Sequence, residues 1–342
     1  MGNNTLLEIG AKLLEAKRIL LFPHMRMDGD ALGSCVALCR FLRKKGKEAF
    51  VLIEDDIPEN LLFMEGDYCI RDVAQAGWIT APEACVSVDC SDPGRFEKRR
   101  EVFRAADFRI CIDHHATSGQ YADYNYIDPQ AAATGEIVYD LLTGLGAEPD
   151  PEMANALFAA ITTDTGNFCY SNTTKKTHEI AAALYDWGLD NCYVCNEIYD
   201  NMRREQLAIH SMALSGMETF AGGQAVLACV SQDMLFAAGA DLTETEGIVE
   251  KLRSIRGVEM AALLKEEEPE LIKVSLRAKS FGNVSAVAQL FDGGGHRKAA
   301  GCAIKKPLEE ARLELAAAME RELEKEGREA LRGEVARREG EC

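Results

Sequence analysis

The sequence lacks any apolar run of the roughly 20 residues that a membrane span requires, which excludes a transmembrane reading. It lacks the layout of a signal peptide as well, because Glu8 and Glu15 interrupt the apolar residues of "MGNNTLLEIGAKLLEAKRILLF". Gly2 follows Met1, but Leu6 stands where a myristoylation signal needs Ser or Thr. Basic residues are scarce: 38 Lys and Arg face 56 Asp and Glu, a formal charge of −18. That balance excludes tight, sequence-independent binding of long duplex DNA, which depends on many cationic contacts to phosphate. It leaves room for a small anionic substrate, because a local metal cluster reverses the field within one cleft. The chain has no internal repeat and no Pro- or Ser-rich low-complexity linker. Its 12 cysteines are scattered and mostly flanked by apolar residues, the pattern of buried thiols in a reducing cytosol, so a cytoplasmic location is expected. Cys192 and Cys195 spell C-x-x-C without a second pair, which argues against zinc.

What is present is a chain of 342 residues, 47% of them apolar, long enough for two domains. "TLLEIGAKLLEAKR" has helical spacing; "RILLF", "EAFVLIE", "ACVSVDCSD" and "FRICIDHH" are strands. Gly33 and Ser34 open a helix, "SCVALCRFLRKKG", and another is expected around "GRFEKRREVFRAAD". Strands alternating with helices predict an α/β fold: a parallel sheet with helices on both faces. Helices follow at "ATGEIVYDLLTGLG", "PEMANALFAAITTDTG", Lys175–Trp187 and Asn191–Ser215. Beyond Gly216 the texture changes to a hairpin turning at Gly222-Gly223, a helix at "EGIVEKLRSI", two strands joined by an acidic turn, and a helix at "VSAVAQLF". This predicts a smaller α+β domain. The expected organisation is 1–190 and 216–325 as two domains around a central cleft, 191–215 as a helical linker, and 326–342 as a charged tail. From about Leu313 the chain reads as a solvated helix with a frayed end.

Four places carry chemistry. His24, Asp28 and Asp30 follow "RILLF"; Asp89 follows "ACVSV"; Asp113-His114-His115 follows "FRICI"; Asp164 ends an apolar helix in "ITTDTG". Ligands of open α/β sheets bind outside the carboxyl ends of the strands, so three of these clusters converge on one crevice. Carboxylates packed together repel, and only Arg26 offers a cation within the motifs. Divalent metal is the economical answer. Carboxylate and imidazole without thiolate suit Mn²⁺ or Mg²⁺, and the acidic groups suffice for two ions, with Asp89 at the central position as the bridge. Taken singly the residues have plainer readings: Asp89 as a helix cap or turn residue, His24 as a satisfied loop histidine. Two adjacent histidines at a strand end have little structural purpose, and the combination carries the weight.

"DHH" at 113–115 and "HMRMDGDALGS" at 24–34 resemble the DHH phosphoesterase superfamily, and "GGGHRKAAG" at 293–301 resembles the glycine-rich signature of the DHHA1 domain. The resemblance covers roughly residues 5–305 and is greatest to the branch of short-oligonucleotide phosphodiesterases, the NrnA-type oligoribonucleases that also dephosphorylate 3′-phosphoadenosine 5′-phosphate. It implies that His24, Asp28 and Asp89 hold one metal and that Asp30, Asp89, His114 and Asp164 hold the other. His115 would lie beside the scissile phosphate as acid or electrostatic clamp, and Asp113 would orient a histidine. The family commonly has proline where Met27 stands, and Met27 is no ligand for hard ions. Ser34 and the amides of its helix start could accept a phosphate oxygen, or Ser34 is a simple N-cap.

In the second domain Gly293, Gly294 and Gly295 let the backbone approach a ligand. His296 can contact a phosphate or stack on a base, and Arg277 resembles the family arginine that grips the far phosphate. Two sites at a fixed separation favour substrates of two to five nucleotides. The implied enzyme is a Mn²⁺-dependent phosphoesterase with two ions, Mg²⁺ being the alternative. It would release mononucleotides from short oligoribonucleotides and convert phosphoadenosine phosphate to AMP. A phosphodiesterase for cyclic dinucleotides or their linear products such as pApA is the nearer rival; a non-catalytic nucleotide-binding module is the more distant one. Small nucleotides are the expected partners, with no membrane, and the resemblance implies a homodimer through the first domain.

Overall fold

The computed structural model describes residues 3–78 and 81–339, with 327–339 described by their backbone alone. The chain divides into two compact units, Met1–Asn201 and Met202–Cys342.

The first unit runs α1 (Leu6–Glu15), β1 (Arg18–Phe22), α2 (Gly29–Lys44), β2 (Glu48–Leu52), β3 (Cys69–Ile70), β4 (Ala84–Val88), α3 (Arg100–Ala105), β5 (Phe108–Asp113), β6 (Tyr124–Ile127), α4 (Thr134–Gly144), α5 (Pro151–Asp164), α6 (Lys175–Asp186) and α7 (Asn191–Tyr199). Its six strands form one sheet in the order β3-β2-β1-β4-β5-β6, and every neighbouring pair is parallel. The apolar runs of β1 and β4 are buried on both sides, as parallel strands covered on two faces must be. Successive residues serve opposite cores: Ile19, Leu21, Val86 and Val88 pack on one face with residues of α2, α4 and α5. Leu20, Phe22 and Cys85 pack on the other with Phe96 and Phe103.

Chain order reverses between β1 and β4, since the strands after β1 run outward on one side and those from β4 outward on the other. Loops on either side of such a reversal diverge and leave a crevice at the carboxyl ends. β3 and β6 escape the sequence reading, the first because it has two residues, the second because "YNYI" interleaves a polar side chain.

α2 starts earlier than expected. It begins at Gly29, with Asp28 as N-cap accepting from the Ala31 amide at 3.0 Å. Gly29 and Gly33, one turn apart, face α5: a Cβ on Gly33 would stand 2.3 Å from the Ala156 carbonyl oxygen, and one on Gly29 would stand 2.5 Å from Thr163 Oγ1. These glycines therefore serve the close approach of two helices.

The second unit comprises α8 (Arg204–Ser215), β7 (Glu218–Phe220), β8 (Ala225–Val230), α9 (Gln232–Ala238), α10 (Ile248–Ser254), β9 (Met260–Glu268), β10 (Leu271–Ala278), α11 (Val284–Gln289), β11 (Gly294–His296), β12 (Ala299–Ile304) and α12 (Leu308–Glu339). The sheet order is β11-β12-β10-β9-β8-β7, antiparallel except for β8 beside β9. The expected single helix over 191–215 is two helices, α7 in the first unit and α8 in the second, separated at 200–203. The expected solvated terminal helix is also corrected. Ala311, Leu315, Ala318, Met319 and Leu323 of α12 are buried in the second unit's core. Their helical spacing makes an apolar stripe that the flanking charges conceal. Among the described residues no helix is long and apolar enough to cross a membrane.

Candidate metal centre

The carboxyl ends of β1, β4 and β5 and the C-terminus of α5 bring the expected acidic and histidine residues together. His24 follows β1, and its Nε2 lies 3.6 Å from Asp28 Oδ2 and 3.6 Å from Asp89 Oδ2. His114 follows β5, and its Nε2 lies 3.6 Å from Asp89 Oδ1, 3.4 Å from Asp164 Oδ2 and 3.9 Å from Asp30 Oδ2. Asp89 thus offers one oxygen to each histidine. Three overlapping ligand groups result among the described residues, His24/Asp28/Asp89, Asp89/His114/His115 and Asp30/His114/Asp164, the ligand atoms of each lying within 4.8 Å of one another.

The backbone is bent to achieve this. Asp89 stands directly after β4 with φ of 57°, in the left-handed region. A non-glycine residue there costs roughly 1–2 kcal/mol. Its amide donates to the Ile112 carbonyl at 2.9 Å, which ties the turn to the end of β5.

Each side chain is oriented from behind. Nδ1 of His24 lies 2.8 Å from the Met25 carbonyl, and Nδ1 of His114 lies 3.2 Å from the Ala131 carbonyl. A proton on each Nδ1 satisfies those contacts and leaves the Nε2 lone pairs facing the carboxylates, the tautomer a metal ligand requires. Asp30 is gripped by the N-terminus of α4: the Thr134 amide donates at 2.7 Å and the Gly135 amide at 2.9 Å. Thr134 Oγ1 donates to Asp89 Oδ1 at 2.9 Å, so one threonine steadies two carboxylates. His115 Nδ1 donates to Asp113 Oδ1 at 2.8 Å. It also lies 3.6 Å from Asp89, but that same nitrogen is engaged by Asp113 and presents no lone pair to an ion.

The electrostatics demand a cation. Burial, reinforced by repulsion from Asp89, Asp164 and Asp28, holds the Asp30 carboxyl well above the ordinary range. Burial and the Asp28 charge push Asp89 up, and burial with the Asp89 charge lifts Asp164 to about 6. Asp28, whose side chain is largely exposed, goes the other way: its partial desolvation opposes, but the neighbouring His24 imidazole brings it down to about 2. Carboxylates forced toward protonation by their own neighbours, backed by imidazoles with free Nε2 lone pairs, have the donor chemistry of a site for hard or borderline divalent ions. The residues present fit that group.

Ser34 is corrected. It is fully buried one turn inside α2 and donates to Asp30 Oδ1 at 3.1 Å, so it neither opens a helix nor reaches a substrate phosphate. Arg26 contributes its amide to Asp55 and no charge to the cluster. The cation that does arrive is Arg95, whose Nη2 lies 3.0 Å from His24 Nδ1. Sequence reasoning missed Arg95 and Thr134. The "TGE" start of α4 after small residues was the available signal for Thr134; nothing local marks Arg95.

In the second unit Arg277 of β10 is opposite Ala299 of β12, and Ala299 is opposite His296 of β11. Residues directly opposite in adjacent strands share a face, so Arg277 and His296 stand on one side of the sheet with a small side chain between them. Arg277 Nε donates to Glu250 at 2.9 Å, which fixes the guanidinium. The glycines have distinct reasons. A Cβ on Gly293 would stand 2.4 Å from the Gly301 carbonyl and one on Gly295 2.6 Å from the Ala299 carbonyl, whereas one on Gly294 would meet open space. Two of the three therefore serve the approach of β12. His178 stacks on Phe168 and His210 is buried against Glu244, as structural histidines do.

The family model described as the DHH family, N-terminal domain, matches residues 18–161, and that of the DHHA1 domain matches 223–325. A protein of Thermus thermophilus named bifunctional oligoribonuclease and PAP phosphatase NrnA is 31% identical over 93% of this chain and 90% of its own length. The chain belongs to the DHH family. It is an enzyme of the phosphoesterase class. A Bacillus subtilis protein of the same name is 26% identical over 84% of this chain and 89% of its own. The crystal structure of an exopolyphosphatase-related protein from Bacteroides fragilis superposes with a TM-score of 0.86 at 25% identity, covering 92% of this chain and 95% of that one.

Proposed function

We propose that this DHH protein is a two-metal, Mn²⁺-dependent phosphoesterase. It hydrolyses oligoribonucleotides of two to five nucleotides to mononucleotides, and phosphoadenosine phosphate to AMP. The observation that carries the reading is Asp89, strained into the left-handed region and turning one oxygen to His24 and the other to His114. His24, Asp28 and Asp89 would hold one ion, and Asp30, Asp89, His114 and Asp164 would hold the other. When bound, the pair supplies the Lewis acidity that phosphoester hydrolysis needs.

The remaining chemistry belongs to the chain. His115 Nδ1 donates to Asp113 Oδ1 at 2.8 Å, a bond that favours the charged ring and raises His115 to about 9 in the metal-free chain, and it leaves Nε2 as the position from which a proton would be delivered. As a water oxygen bonds to phosphorus and the P–O ester bond breaks, His115 gives that proton to the leaving oxygen. Asp113, itself buried, keeps the ring in place. Arg277, Gly293, Gly294, Gly295 and His296 form the nucleotide-binding face of the second unit: the guanidinium takes a phosphate, and the imidazole stacks on a base or contacts a phosphate. The Thermus and Bacillus relatives, named for these two activities over most of their length, support the substrate class.

The test is a substrate panel of ribodinucleotide to ribohexanucleotide, phosphoadenosine phosphate, pApA and cyclic di-AMP. Each is incubated with the full chain plus Mn²⁺, plus Mg²⁺, or plus chelator, and the products are separated by chromatography. Turnover of the shortest oligoribonucleotides and of phosphoadenosine phosphate with Mn²⁺ is expected. An intact dinucleotide would sink the assignment, and turnover confined to cyclic di-AMP or pApA would replace it with the cyclic-dinucleotide reading.

A further inference from the structure

Asp164 differs from Asp30 and Asp89 in what holds it. The Asp30 carboxylate accepts from two amides, and that of Asp89 from the Thr134 hydroxyl. The Asp164 carboxylate, 3.4 Å from His114 Nε2, has no amide or hydroxyl donor among the described residues. Its position is therefore set through its backbone. Asp164 is the last residue of α5, and a carbonyl in the last turn has no partner within its helix. Asn172 supplies one: its Nδ2 donates to the Asp164 carbonyl at 3.1 Å and to the Ala132 carbonyl at 2.9 Å. Both neighbours are carbonyl oxygens, so the amide nitrogen is the atom that must face them. The Ala131 carbonyl, one residue before, stands 3.2 Å from Nδ1 of His114. One side chain thus ties the end of α5 to the loop that backs His114.

The chain accepts strain to deliver that side chain. Gly166, Asn167 and Phe168 are consecutive left-handed residues, with φ of 54°, 54° and 61°. A bulky residue such as Phe168 enters that region only at a cost. The turn they make folds the chain back on the end of α5: the Asn167 amide donates to the Thr162 carbonyl at 2.7 Å and the Tyr170 amide to that of Thr165 at 2.9 Å. Asn172 follows directly. Its Oδ1 is buried with no hydrogen-bond partner among the described residues, a loss that offsets what the two bonds add to stability. A strained turn leading to a half-satisfied amide is better explained by what it holds in place. We propose that Asn172 is a positioning residue of the metal centre, clamping the Asp164 backbone to the loop behind His114 and so fixing the spacing of those two ligands. The inference rests on the two-metal reading above.

The test uses the full chain and two variants. Asn172→Ala removes the clamp; Asn172→Leu removes it while keeping most of the volume, and stands in should the alanine variant fail to fold. Three readouts are taken: Mn²⁺ titration by electron paramagnetic resonance, which distinguishes a lone ion from a coupled pair; melting temperature in chelator; and kcat and KM for a ribodinucleotide at saturating Mn²⁺. Asp164 and His114 belong to the same ion. One Mn²⁺ should therefore bind at least about tenfold more weakly in either variant while the other is unchanged, and kcat should fall by a similar factor with KM held. Both Mn²⁺ affinities intact, with or without a lower melting temperature, would overturn the proposal and leave Asn172 as a brace of the fold. Wild-type protein that takes up two Mn²⁺ without hydrolysing any substrate would sink the phosphoesterase reading, while the two affinities still decide Asn172. Wild-type protein that takes up one Mn²⁺ or none would sink the two-metal reading and the proposal with it.

Discussion

A single aspartate carries the logic of the site at the residue scale. Asp89 bears three burdens: a left-handed backbone, burial, and the proximity of other acids. A residue under that combination is explained by function rather than stability. Asp89→Asn separates the two. Asparagine tolerates the left-handed region, and its amide oxygen can keep the bond from Thr134 Oγ1, but it removes the charge that repels Asp30 and Asp164. Turnover is expected to fall by at least about 10²-fold, while the metal-free variant melts at a higher temperature than metal-free wild type. Calorimetric melting in chelator checks this, and a lower melting temperature would show that the acidic cluster is not strained. This is also the scale at which the sequence spoke plainly. His24, Asp28, Asp30, Asp89 and Asp113–His115 were legible because each follows a strand whose apolar run is unmistakable. Thr134 and Arg95 were not, because their importance comes only from what the fold sets beside them, as with Arg95, 71 positions from His24.

Elements position the ligands, and the contact of α2 with α5 is the decisive one. Asp28 caps α2 and Asp30 lies in its first turn, while Asp164 is the last residue of α5. The separation of the two helices therefore sets the spread of the acidic cluster. Gly33 allows that separation, since its absent Cβ would stand 2.3 Å from the Ala156 carbonyl. In Gly33→Ala the gain in helix propensity, up to about 1 kcal/mol, is outweighed by overpacking of roughly 1–3 kcal/mol. A net loss of stability and weaker Mn²⁺ binding are expected. Gly144→Ala at the end of α4, where a Cβ meets nothing within 4 Å, is the control and should be neutral or stabilising. Urea unfolding of both variants decides the point; equal stability of Gly33→Ala and wild type would show that α5 yields freely. Sequence pattern alone started the helix at Gly33 and Ser34 and left Gly29 ahead of it. The cap at Asp28 draws them into the helix. The same limit hid the packed stripe of α12: alanine at helical spacing carries little hydrophobic signal, yet Ala311 and Ala318 are core residues.

At the scale of the whole molecule, acidity and architecture answer each other. A parallel sheet that reverses its order between β1 and β4 concentrates strand ends in one crevice. This chain places its buried acids there in a molecule whose formal charge is already −18. The consequence is a pH dependence of unusual sign. Asp30, Asp89 and Asp164 all have folded-state values above the ordinary 3.8, Asp164 at about 6. Above about pH 5, where the carboxyls that folding lowers, Asp28 among them, are ionised in both states, these three bind more protons in the folded chain than in the unfolded one, and their contribution to stability falls as pH rises. His24 and His115, both raised, extend the same slope upward from their ordinary 6.5, His115 to about 9. Metal-free protein should accordingly gain a few degrees in Tm on acidification from pH 7 to pH 5. Mn²⁺ should reverse the trend: it binds only the deprotonated carboxylates, so its stabilisation is greatest at pH 7 and fades as protons compete below about pH 6. Differential scanning calorimetry across that range, with chelator and with saturating Mn²⁺, tests both slopes. Parallel profiles would mean that the ion does not sit among these carboxylates.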